Sequence, residues 1–122
     1  MPDHIWSVFC SKGIVDSTSN NVSLINVIEE LRLPVKATDI TGPVLVPFEW
    51  ALVSSWRRKD VDMPEHAEAR VRIVGAHGHE LGLGAIAVNL SEHIRSRTIL
   101  RGLNLPLEGV GTQQFIVELQ EE

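Results

Sequence analysis

The sequence predicts an all-β protein: an antiparallel β-sandwich of about seven strands, immunoglobulin-like or similar. Three observations carry that expectation. Apolar and polar residues alternate at period two through one stretch after another, turn chemistry separates the stretches, and only residues 22–31 carry helical spacing. Period-two alternation marks half-buried strands, and many such runs joined by turns build a sandwich rather than a parallel sheet with crossover helices. An α+β arrangement with one helix near 22–31 is the competing architecture.

The clearest alternation runs from Val44 to Arg58, where Val44, Val46, Phe48, Trp50, Leu52, Ser54 and Trp56 share one face. Fully extended, this stretch would span about 50 Å, against a radius of gyration of about 14 Å for a compact chain of this length. A break is therefore expected at Pro47, which cannot donate to a ladder, and the main strand at about 48–58.

Residues 5–16 alternate around Trp6, Val8 and Cys10, with Gly13 marking a bulge or a close backbone approach. Asp16-Ser17-Thr18-Ser19-Asn20-Asn21 is turn chemistry, because these side chains bond their own backbone. In 22–31, Leu24, Val27, Ile28 and Leu31 fit a helix capped by Asn21, whereas the β-branched content and the preceding turn favour a returning strand. The strand is the preferred reading. Residues 32–43, with Pro34, Gly42 and Pro43, read as a connection between layers.

Ala67, Ala69, Val71 and Ile73 point inward on the next strand, with Glu68, Arg70 and Arg72 outward. Gly78 suits a hairpin turn at 76–79. Strands follow over 81–90 and 93–103. Residues 105–111 read as a turn, and Gln113, Phe115, Val117 and Leu119 alternate in a last strand.

With 122 residues, 43% hydrophobic and 22% charged, the chain is expected to form a single domain over 1–122. No apolar run is long enough to span a bilayer as a helix. Met1-Pro2-Asp3-His4 opens without a basic and then apolar leader, and Cys10 is alone, so the expected home is the cytoplasm. A net charge of −5 argues against general nucleic-acid binding, although seven of the eight arginines fall between Arg57 and Arg101.

Four pieces of the chain resemble an uncharacterised family of small bacterial proteins with a predicted β-sandwich fold. They are Ser7-Val8-Phe9-Cys10 with Ile14-Val15-Asp16; Asn21 to Leu31; the Gly78 hairpin; and Leu105-Pro106-Leu107 with Gly111-Thr112-Gln113-Gln114-Phe115. The resemblance implies the sandwich and no activity, since none of these pieces carries chemistry. Members tend to have Tyr in the place of Gln113, and some continue with a further strand. The sequence stops at Glu122, so the resemblance implies an open sheet edge.

Several candidate sites follow from residue type. His77, His79, Glu80 and His93 offer imidazole and carboxylate ligands for zinc or a similar ion, although a solvated hairpin tip explains the same residues. Cys10 sits at an apolar alternating position and reads as a small buried hydrophobe rather than a nucleophile. Ser54-Ser55 lacks a glycine elbow, and no phosphate-loop fingerprint occurs. Arg57, Arg70, Arg72, Arg95, Arg97 and Arg101 all fall on outward phases, where they form an anion-binding ridge if their strands are neighbours. Pairing with Glu49, Glu68 and Glu118 is the plainer reading. Trp6, Trp50 and Trp56 are core first and a sugar-stacking platform second, with Trp56 expected to be partly exposed.

The function expected from these residues is a non-enzymatic binding or assembly module without a cofactor, self-associating as a homodimer through Trp56 or through Phe115, Ile116 and Val117. A metal protein or enzyme using the histidine cluster, and a carbohydrate-binding module using exposed tryptophan, are the alternatives.

Overall fold

The structure is a computed structural model that describes residues 1–32 and 42–121. Most of the expected connection at 32–43 therefore lies outside the described residues. Seven strands follow in chain order: β1 (Asp3–Val15), β2 (Val22–Val27), β3 (Val44–Arg57), β4 (Glu65–Val74), β5 (Glu80–Leu90), β6 (Arg95–Leu107) and β7 (Gln114–Glu121). They form two antiparallel sheets, β2-β1-β3-β6 and β5-β4-β7, packed as a sandwich. β5 and β6, consecutive in the chain, lie against each other and join the layers on one side.

No helix occurs among the described residues, and Val22–Val27 is strand. The turn before it explains the outcome. Asp16 accepts the amides of Thr18 and Ser19 at 2.8 and 3.0 Å, and Asn20 takes φ 59°, so the chain doubles back and pairs Val22 with Val15. The amides of Ser19 and Thr18 also hold the Asp16 carboxyl below its ordinary pKa. Gly78, at φ 87°, closes the β4–β5 hairpin as expected.

Three boundaries differ clearly from expectation, the first being that β2 ends at Val27 rather than Leu31. β3 begins at Val44 rather than near Phe48, and β6 runs on to Leu107 through residues read as a turn. The two extensions pair with each other, Val44 with Leu107 and Val46 with Leu105. β1 pairs with β3 only as far as Ala51, so around Pro47 the strand is itself an edge and the missing donor is tolerated. The expected break becomes a register shift between Pro47 and Trp50, which bends the strand without ending it.

The inner face of β3 carries Trp50, Leu52, Ser54 and Trp56, all buried. Trp50 is 6% exposed and packs with Leu52, Val71, Ile73 and Leu105. Its indole N–H donates to the carbonyl of Asn104 at 2.8 Å. Opposite it on β6 is Gly102, where any side chain would enter the indole ring. Phe9 of β1 and Phe115 of β7 close around the same ring, at centroid distances of 5.9 and 5.6 Å, so one tryptophan contacts both layers.

The outer face of the four-stranded sheet is covered as well. Cys10, Ala51 and Val53 are buried there, with Trp6, Val22, Leu24 and Ile99 packed around them. A Cβ on Gly13 would stand 2.8 Å from Cγ2 of Val53, so the glycine permits the close approach expected of it. Arg97 donates to the backbone carbonyl of Asn20 and Arg101 to that of Gly13. The β1–β2 hairpin therefore curls across the outer face of β3 and β6 and is held there by two guanidinium groups.

Trp50→Ala is expected to lower unfolding free energy by about 3–5 kcal/mol through lost burial and a cavity. Gly102→Ala is expected to cost about 1–3 kcal/mol by overpacking the same ring. Chemical denaturation checks both, and a change below about 1 kcal/mol for Trp50→Ala contradicts the central packing.

Candidate functional site

The residues with chemistry gather at three places: the β4–β5 hairpin tip, the starting end of β6, and the edge at β7.

At the hairpin tip the organising group is Glu108, which follows β6 and is only 4% exposed. Its Oε1 accepts the amides of His77 and His79 at 2.8 and 3.3 Å, and its Oε2 pairs with His79 Nδ1 at 2.8 Å. Gly75 and Gly109 make the room, since a Cβ on the first would meet Glu108 and one on the second would meet the His77 ring. Burial pushes the Glu108 carboxyl up, but the bonds from His79 and from the amides of His77 and His79 outweigh it, leaving the pKa below its ordinary value of 4.5.

This carboxylate ties the hairpin to β6 and uses its lone pairs in doing so. The proposed metal set does not assemble around it. His77, His79 and Glu80 belong to the tip, whereas His93 follows β5 at the opposite end of that strand. Among the described residues no three His, Cys, Asp or Glu side chains come together to hold a metal ion. His79 is 74% exposed, in keeping with a solvated tip. Glu108 itself was hidden in the sequence, because its neighbourhood reads as a turn. Glycines on both approaches, Gly75 and Gly109, are the signal that a bulky group fills the gap.

The arginines divide between layers. Arg70 and Arg72 lie on the outer face of β4, where they meet Glu68 at 3.0 Å and Glu118 at 2.9 Å. Arg57, Arg95, Arg97 and Arg101 share the outer face of the other sheet. The single ridge is thus corrected to two groups on opposite faces, because β4 and β6 belong to different sheets. Within the second group Arg57 stands directly opposite Arg95, and Ser55 opposite Arg97. Arg58, pointing away from them, braces the carbonyls of Val61, Leu90 and Ser91.

Between the layers at this end runs a polar chain that the sequence did not reveal. His4 Nε2 lies 2.7 Å from Ser7 Oγ, which lies 2.7 Å from Ser54 Oγ. Trp56 lies against His4 with the rings tilted by 47° and centroids 4.8 Å apart, and donates its indole N–H to Thr98 at 3.0 Å. The chain satisfies a buried serine, and among the described residues no carboxylate orients the histidine as a catalytic triad requires.

Trp56 is 1% exposed, so it is neither a stacking platform nor an interface residue. The register that puts Trp50 inward puts Trp56 inward too. Trp6 is half-buried against the outer cluster. Phe115 and Val117 likewise face the core, leaving Ile116 as the outward residue of the three expected at an interface. Cys10 is buried, and desolvation raises its thiol pKa, the opposite of what a nucleophile needs.

A groove of about 340 Å³ opens where β1 leaves β3, lined by Lys12, Ile14, Glu49, Trp50, Arg101 and Leu103. Lys12 and Glu49 approach to 3.9 Å within it. No helix among the described residues is long and apolar enough to cross a membrane. No family model, curated protein or solved structure matches the chain.

Because the Glu108 pKa is depressed on folding, the stability it contributes is complete above 4.5 and is lost as pH falls through the lower folded-state value. Glu108→Gln is expected to melt below the wild type at pH 7, with the gap narrowing as pH falls from 4.5 through the folded-state value. Thermal melts over a pH series check this, and a gap independent of pH contradicts it.

Proposed function

We propose that the chain is a non-enzymatic binding and assembly module whose copies pair through β7. The observation that carries this reading is the position of β7. Among the described residues it bonds β4 alone, at the edge of a three-stranded layer that faces a four-stranded one. An edge strand presents a row of unpaired amides and carbonyls, a ready template for another strand.

β7 has the physical properties such a template needs. Phe115, Val117 and Leu119 anchor its inner face in the core, which fixes the strand in register. Ile116 and Glu118 alternate outward. Two copies related by a twofold axis join their three-stranded sheets into one of six strands, and twofold closure is the commonest solution for self-association.

The absence of enzymatic activity in this reading is supported by the raised thiol pKa of Cys10 and by the structural use of Glu108, His79, Ser7 and Ser54. A cytoplasmic setting belongs to the same reading and is supported by the single cysteine, kept as a buried free thiol.

Light scattering at tens of micromolar is expected to give twice the 13.5 kDa chain mass; a strictly monomeric mass contradicts the proposal. Ile116→Lys places a charge on the edge and is expected to yield a folded monomer, with stability changed by about 0.5 kcal/mol or less as for an ordinary surface substitution. Circular dichroism of the variant checks the fold, and unfolding on this substitution puts Ile116 in the core and the contact elsewhere.

A further inference from the structure

We infer that the starting end of β6 is a binding site for a phosphoryl dianion, formed by Arg57, Arg95, Arg97 and the hydroxyl of Ser55. The cross-strand register places these four residues at the corners of one rectangle on the outer face, Arg57 opposite Arg95 and Ser55 opposite Arg97. Its sides are about 5 Å across the strands and about 7 Å along them. Flexible guanidinium groups on Arg57 and Arg95 reach a single tetrahedral group beside Arg97, whose orientation Asn20 sets, and their planar forks match its oxygens.

Charge points the same way. Like charges directly opposite each other on neighbouring strands are unfavourable, yet Arg57 faces Arg95 across β3 and β6. The compensation within the protein is slight. Asp3 lies 3.9 Å from Arg57 and is shared with Lys59 at 3.8 Å. Arg95 makes no hydrogen bond or ion pair among the described residues, and Glu92, three positions before it, forms none with it. Arg97 is positioned by neutral oxygens, the carbonyl and side chain of Asn20 at 2.6 and 2.7 Å, so its direction is set and its charge is left uncompensated. On the opposite layer, by contrast, Arg70 and Arg72 each have a glutamate.

A dianion suits this site better than a single carboxylate, because its three arginines have among them one acid, Asp3, itself shared with Lys59. Single-stranded nucleic acid is disfavoured by the net charge of −5 and because Trp6, the aromatic opposite Ser55 on this face, is half-buried against the outer cluster. The site lies on the other layer from β7, so it stands or fails independently of self-association.

The test is a titration of the full chain with inorganic phosphate at constant ionic strength, followed by amide and arginine Nε chemical shifts. Saturable shifts are expected at Ser55, Arg57, Arg95 and Arg97, with phosphate also raising the melting temperature. Arg95→Gln removes no contact of the fold and is expected to weaken binding about tenfold and to abolish the thermal shift. Arg70→Gln with Arg72→Gln is expected to leave both unchanged. Phosphoserine peptide and adenosine monophosphate, titrated in parallel, distinguish the source: tighter binding of either than of phosphate identifies the carrier, and equal binding of all three identifies free phosphate. Absence of saturation, equal weakening by the Arg70 and Arg72 substitutions, or preferential binding of a single-stranded oligonucleotide to the whole face overturns the inference.

Discussion

The indole of Trp50 lies in the hollow that Gly102 leaves on the neighbouring strand, and the rest of the sandwich is arranged about that fit. The missing side chain lets a large ring lie flat beside β6 while its N–H reaches the carbonyl of Asn104. Phe9 and Phe115 then meet the ring from β1 and β7, and also each other at 4.6 Å. A three-ring cluster of this kind contributes packing beyond its buried area. It also fixes β7 to the core through one face, and among the described residues the strand bonds β4 alone. Core packing and the proposed assembly edge therefore depend on the same residues.

The two layers treat their outward charges differently. On the three-stranded sheet, arginines and glutamates neutralise one another, Arg72 with Glu118 diagonally across β4 and β7 and Arg70 with Glu68 along β4. On the four-stranded sheet, Arg97 and Arg101 spend donors on backbone carbonyls of the curled β1–β2 hairpin. A carbonyl positions a guanidinium without cancelling its charge. An acidic protein thereby keeps a cationic corner, and Glu108 at the far hairpin tip shows the converse, a carboxylate held ionised by amides and a histidine.

Much of this architecture is legible in the sequence because period two is a strong signal wherever one face is buried. Ala67, Ala69, Val71 and Ile73 are all buried, as their alternation requires. Gly13 and Gly78 also do what their surroundings imply. The extensions of β3 to Val44 and β6 to Leu107 were obscured by Pro47 and Pro106, whose meaning depends on which neighbours a strand has. The burial of Trp56 was obscured because its sequence neighbours Arg57 and Arg58 are polar, although its phase is that of Trp50. The candidate sites were least legible. Whether six outward arginines make one ridge depends on sheet membership, and Glu108 acquires its role only when a hairpin from another sheet folds over it.

The central claim is that β7 is a strand awaiting a strand, and amide hydrogen exchange across a dilution series tests it most directly. The amides of β7 that point toward β4 are protected at every concentration. The alternate ones, which point away from it, are predicted to be protected in concentrated samples and to exchange freely on dilution. Free exchange of those outward amides at all concentrations, in a chain that stays folded, would contradict the account.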